Sequence, residues 1–180
     1  MRRMKMTTRD MILISIFAVM TGIGRWIMIP MPFMPFTLQT LICMLSGLLL
    51  GSRRGAASQL LYMFMGLAGL PFFTTGAGPS AVVMPTFGYV MGFVACAWVC
   101  GTLSKRCGYL AASLAGIAVM YLFGVSYLYF ILNFWVDGGG ASIWKVLSAG
   151  LFATVWVDAI KAVIASLVAQ KLKKSGVLRF

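Results

Sequence analysis

The sequence predicts an all-α integral membrane protein of six transmembrane helices, and three observations predict it. Of 180 residues, 61% are hydrophobic and only 10% charged, where a soluble globule carries roughly 25% charged residues. Folding cannot repair that shortfall, because a chain this short has too much surface to hide every apolar side chain. The apolar residues also fall in runs, at about 11–29, 37–50, 56–71, 82–103, 109–134 and 144–170, within one transmembrane domain spanning 1–180. Finally, Lys and Arg gather in short clusters between alternate runs.

The first run follows "MRRMKMTTRD". It is longer than the roughly 7–15-residue core of a signal peptide and no A-x-A cleavage pattern follows, so it reads as a retained span. The second opens on "PFMPFTLQT", residues 32–40, a rigid turn leading into a helix start. Such a start offers unpaired N–H groups, and Thr37 or Thr40 beside Gln39 could cap it or bind a ligand there. Runs two and three are shorter than the roughly 20 residues a spanning helix needs, and their ends require polar loops and neighbouring helices as cover. "PFFTTGAGPSAVVMPTFGY", residues 71–89, separates runs three and four. Its charge-free length suggests a lid over about 71–85, in which Gly76 and Gly78 permit close backbone approach. Tyr89 then opens run four, either as part of an interfacial aromatic belt or facing a ligand. Run five is generic, and run six is long enough to tilt or protrude.

Charge orients these runs. Arg2, Arg3, Lys5, Arg9, Arg53, Arg54, Lys105, Arg106, Lys171, Lys173, Lys174 and Arg179 all fall on one side, while stretches 30–36, 71–81 and 135–143 hold no Lys or Arg. Positive residues are retained in the cytoplasm, which places both termini there and the proline-threonine stretch outside. The formal charge of +12 therefore has a topogenic reading, and nucleic acid is excluded as a partner because no basic face interleaved with aromatics carries it.

Few ionisable groups then remain to be explained. Asp10 lies at the cytoplasmic end of the first run, and Asp137 and Lys145 flank an outer loop. Arg25 sits near the outer end of run one, where it either snorkels to the headgroups or meets an anionic ligand. Asp158 and Lys161 are different, since both fall inside "TVWVDAIKAVIASLV". Each costs roughly 2.5–3.5 kcal/mol at a helix centre. Their i,i+3 spacing puts them on one face, either as a neutralised structural pair or lining a ligand-filled cavity. Two apolar side chains would do the structural job at lower cost, which favours the cavity.

Absences narrow the chemistry. The chain has no histidine and no G-x-x-x-x-G-K-[ST] motif, so it offers neither a Ser–His dyad nor a P-loop. Cys43, Cys96, Cys100 and Cys107 form no CxxC and no metal site is expected. An enzyme is not expected, and neither is a cofactor.

"PFMPFTLQTLICMLSGLLLGSRRGAASQLLYMFMGLAGLPFF", "PTFGYVMGF" and "DAIKAVIA" together resemble the BioY proteins, the biotin-binding substrate (S) components of energy-coupling factor (ECF) transporters. The resemblance touches nearly the whole chain and is most specific in runs two and three. It implies an S-component-like six-helix bundle in the cell membrane that captures biotin from outside. It carries the family's polar pair onto Asp158 and Lys161 and its F-T-L-Q-T glutamine onto Gln39. Arg25, Tyr89 and the lid backbone around Gly76 and Gly78 are then expected near the biotin carboxylate, the alternative being the reverse orientation with the carboxylate on Lys161. The implied partners are a membrane-embedded coupling protein and a cytoplasmic ATPase pair. Ala18 and Gly22, a small-xxx-small pair in run one, are expected either to dock the coupling protein or to pack against the chain's own helices. An S component for another small vitamin is the nearest alternative, and a small non-transport membrane protein the more distant one.

Overall fold

The computed structural model describes residues 7–29, 36–74, 76–136, 144 and 154–175. Among them lie six α-helices: α1 (Thr8–Ile23), α2 (Gln39–Leu50), α3 (Ser52–Leu67), α4 (Phe87–Leu103), α5 (Tyr109–Ile131) and α6 (Val155–Lys174). A 3-10 turn covers Pro79–Val83, and one π-helical segment, Leu132–Val136, extends α5.

α1 begins where the sequence supplies a capping box. The Asp10 N–H donates to Thr7 Oγ1 and the Thr7 N–H to Asp10 Oδ2, both at 3.2 Å, satisfying two donors that a helix start leaves open. Asp10 is not a solvated acid, because it is buried and its Oδ2 also lies 3.1 Å from Arg54 Nη2. That pair ties the start of α1 to the start of α3. The helix stops at Ile23, well short of the end of the apolar run. The chain turns, and β1 (Met28–Ile29) pairs antiparallel with β2 (Phe36–Thr37), Met28 opposite Thr37. Apolar composition alone could not distinguish this ladder from a longer helix.

Only Gly51 separates α2 from α3, at φ +82°, a backbone conformation that side-chain-bearing residues resist. α4 packs on α5, α3 and α2; α1 packs on α3 and α2; α6 lies against α2 and α5. Tyr62, Met44, Leu48, Met120, Cys43, Cys96 and Cys100 are fully buried or nearly so where these helices meet. The buried cysteines serve as packing groups: all four thiols are free. Polar contacts join the same helices, with Gln59 Nε2 donating to Thr21 Oγ1 at 3.2 Å and to Ser46 Oγ at 3.1 Å.

The helix ends bearing the basic clusters gather at one end of the bundle. Besides the Asp10–Arg54 pair, the Lys173 ammonium sits 5.1 Å above the Tyr109 ring, joining the end of α6 to the start of α5. Trp98, Leu122, Phe130, Phe134 and Leu167 are exposed on the outer surface, an apolar exterior that water does not favour.

Helix lengths qualify the expectation of six membrane crossings. Among the described residues, 109–134 is the one stretch of helix both long and apolar enough to cross a bilayer, and α2 and α4 are shorter apolar helices. The 12 residues of α2 rise about 18 Å, against a hydrocarbon core of about 30 Å. The expected start of run six at 144 adjoins residues 145–153, which lie outside the described residues, as do Asp137 and Lys145 and the prolines of 30–35.

Candidate functional site

A cavity of about 70 Å³ lies between α2, α4, α5 and α6, room for several water-sized groups. Its polar end is built on α6. Asp158 and Lys161 are only 4% and 7% exposed, and Lys161 Nζ donates to Asp158 Oδ1 at 2.8 Å. The Tyr121 hydroxyl, from α5, donates to Asp158 Oδ2 at 2.6 Å and also lies 2.7 Å from Thr154 Oγ1. Each carboxylate oxygen thus holds one charge-assisted bond and keeps acceptor capacity for another donor. The ammonium likewise has more protons than Asp158 alone can take. Burying such a pair is costly unless its remaining hydrogen-bonding groups are satisfied. All four residues line the cavity.

Thr37, Gln39 and Thr40 bring the start of α2 to the cavity wall as well. Gln39 Nε2 donates to Tyr62 Oη at 2.7 Å and to the Phe72 carbonyl at 3.0 Å, while its Oε1 lies 3.4 Å from Thr37 Oγ1. Its amide is therefore a latch between α2, α3 and the segment after α3. The side walls are aromatic and apolar, with Tyr89, Phe93 and Met120 prominent. The Tyr89 and Tyr121 rings meet edge to face at 5.9 Å, an arrangement aromatic pairs favour. Gly124 makes room for them, since a Cβ there would lie 2.4 Å from Tyr89 Cε1.

The structure thus brings together Asp158, Lys161, Gln39, Tyr89 and Thr37. It does not bring in the other three expected ligand residues. Arg25 Nη1 donates to the Pro71 carbonyl at 2.7 Å in an exposed position and does not line the cavity. Gly76 and Gly78 also stay off the cavity wall; they adopt φ +82° and +76° and turn the chain, with the Gly78 N–H bonded to the Gly66 carbonyl at 2.9 Å. The docking expectation for Ala18 and Gly22 needs correction too. Ala18 is fully buried, Gly22 is buried, and a Cβ on Gly22 would meet the Phe72 ring at 2.5 Å. The small-xxx-small pair seats this chain's own loop, and no partner can reach it in this conformation.

Tyr121, Thr154 and Tyr62 were not foreseen from sequence. The available signal was a tyrosine deep in an apolar span, whose hydroxyl needs a partner when buried. Tyr121 also borders a second, apolar groove of about 510 Å³ between α5 and α6, lined by Leu122, Val125, Val155 and Ala159 among others. Tyr121→Phe keeps the ring but leaves Asp158 Oδ2 without its donor. Removing a hydrogen bond to a charged group costs roughly 1.5–3 kcal/mol, so thermal unfolding should show the Tyr121→Phe chain destabilised by about that much.

Comparisons with known proteins place the family. The BioY family profile matches residues 1–176. A biotin transporter BioY of Thermotoga maritima is 39% identical over 176 residues, covering 95% of this chain and 99% of that protein. A probable biotin transporter BioY of Lysinibacillus sphaericus is 38% identical over 175 residues, covering 93% and 88%. The fold matches the crystal structure of the S-component for biotin from an ECF-type ABC transporter with a TM-score of 0.71, at 23% identity over 94% of this chain and 95% of that one. With the family's profile matched almost end to end and two relatives alike across nearly their whole length, this chain belongs to the BioY family.

Proposed function

We propose that this chain is the biotin-capturing S component of a vitamin uptake transporter, lodged in the cell membrane, with the Asp158–Lys161–Tyr121 constellation as the seat of the ureido ring. The observation that carries this reading is an ion pair buried in helical surroundings with an open cavity against it. Biotin's ureido ring presents two N–H donors and one carbonyl acceptor. Asp158 can accept from the ring and Lys161 can donate to its carbonyl, so ligand and protein satisfy one another where an unmade bond is expensive. The thiophane ring and valerate chain then run along Tyr89, Phe93 and Met120. The relatives are named biotin transporters, which supports the same ligand. Isothermal titration of biotin into the purified, detergent-solubilised chain tests this, with thiamine and riboflavin as controls; saturable binding of biotin alone is expected, and binding of another vitamin in its place would contradict it.

In this reading the exposed apolar exterior meets lipid and the basic end faces the cytoplasm. A membrane-embedded coupling protein and a pair of cytoplasmic ATPases would turn the loaded component inward. Two cysteine positions check the orientation. Cys107 is exposed at the basic end, and Ser80 is exposed on the 3-10 turn of the opposite loop. A membrane-impermeant maleimide should label Ser80→Cys in intact cells and the native Cys107 only after permeabilisation. The reverse pattern would overturn the topology.

A further inference from the structure

The basic end of the bundle holds more positive charge than the chain itself can answer, and the excess meets at the corner between α5 and α6. Lys105 and Arg106 are exposed just before α5, and Lys171 and Lys174 are exposed in the last turns of α6. The Lys173 ammonium over the Tyr109 ring brings the two groups together. The whole sequence has three acidic residues and no glutamate. Asp10 faces Arg54 where α1 meets α3, and Asp158 faces Lys161 inside the bundle. Asp137 comes after the other end of α5 in sequence. No side-chain carboxylate of this chain is left for the corner, and like charges gathered there repel one another unless an anion joins them.

The surface leading into this corner is apolar. Leu110 and Leu114 are exposed one turn apart on α5. On α6 the exposed Leu167 shares a face with Lys171 and Lys174, at i, i+4 and i+7. The apolar groove between α5 and α6 begins at Leu114, about 7.5 Å along the helix from Tyr109, and runs on to Ser126. A groove that is apolar along its length and basic beyond its cytoplasmic end matches a molecule with an apolar chain and an anionic head. An acidic protein segment would match the cations alone and leave the groove unfilled.

We infer that the α5–α6 corner is a binding site for an anionic phospholipid of the cytoplasmic leaflet. Its phosphodiester head sits among Lys105, Arg106 and Lys173, and one acyl chain enters the groove at Leu114. Basic pockets between membrane helices on the cytoplasmic side hold anionic headgroups in this manner. The inference goes beyond the biotin reading and depends only on the membrane placement proposed above. A lipid seated there fastens α5 to α6, the helices that supply Tyr121 and Asp158.

The test is native mass spectrometry of the detergent-solubilised full chain, titrated with dioleoylphosphatidylglycerol or with dioleoylphosphatidylcholine, which share acyl chains and differ in headgroup charge. Phosphatidylglycerol should bind about tenfold more tightly, the scale that a few cations at a membrane surface supply, and its advantage should shrink as salt is raised. Combining Lys105→Gln, Arg106→Gln and Lys173→Gln should abolish the preference. Combining Lys105→Arg, Arg106→Lys and Lys173→Arg should keep it, which separates loss of charge from loss of fold. Ala118→Phe, which narrows the groove without changing a charge, should weaken both lipids alike. Soluble glycerophosphate should not displace the lipid. Equal affinity for the two lipids, a preference that survives removal of the three charges, or lipid binding unchanged by Ala118→Phe would each overturn the inference. So would displacement by glycerophosphate, which marks a free-phosphate site, or binding of polyglutamate in place of phosphatidylglycerol, which marks a surface for an acidic protein.

Discussion

Asp158→Asn should reduce biotin affinity roughly 10- to 100-fold, since a ureido N–H loses a charged acceptor worth about 1.5–3 kcal/mol. The same change should lower stability. Lys161 remains buried, with the Asp158 carboxylate gone and an amide in its place, and breaking a buried pair from one side costs about 3–5 kcal/mol. Loss of binding could then be blamed on loss of fold. A double variant, Asp158→Leu with Lys161→Met, separates the two. Replacing a whole buried pair by apolar residues of similar volume is often neutral or stabilising by about 1–4 kcal/mol. It should melt at or above the wild-type temperature yet bind no biotin. If the double variant binds biotin as the wild type does, the pair is structural and the site lies elsewhere.

Gly47→Ala should destabilise the bundle by about 1–3 kcal/mol, the usual cost of forcing an extra group into a packed core. Helix propensity argues the other way, because Ala in place of Gly within a helix ordinarily gains about 0.5–1 kcal/mol. Packing wins at this position. A Cβ on Gly47 would lie 2.3 Å from the Ala97 carbonyl oxygen and 2.9 Å from Cys100 Cβ on α4. The nearest obstacle is backbone, which cannot swing aside as a side-chain tip can. α3 closes the other side, since a Cβ on Gly55 would lie 2.7 Å from Gly47 Cα. α2 carries Gln39 and Thr40 and α4 carries Tyr89, so separating these helices also spreads the cavity walls. Thermal unfolding in detergent measures the effect; an unchanged or raised midpoint would show that α2 and α4 are less tightly crossed than described.

What could be read from residues alone follows from how sharply each group contrasts with its neighbours. Asp158 and Lys161 stood out because a charge inside an apolar run demands a reason, and the structure places both at the cavity. Tyr121 did not stand out, because it sits in "VMYLFGVSYLYF" among other tyrosines and its importance comes from what α6 brings opposite it. The Ala18–Gly22 spacing correctly signalled close approach but carried no information about which surface approaches; Phe72 of the same chain fills that place. Arg25 reads as a residue near the outer end of a straight span, yet α1 ends at Ile23 and the guanidinium turns to the Pro71 carbonyl instead. Helix ends were least legible, since the β1–β2 ladder is as apolar as the helix it interrupts.

The most direct test of the central claim is a structure of the chain with biotin bound. The ureido carbonyl oxygen should lie within about 3 Å of Lys161 Nζ and a ureido N–H within the same range of Asp158, as hydrogen bonds require. Biotin found with its ureido ring away from α6, or seated in the apolar groove between α5 and α6, would contradict the account.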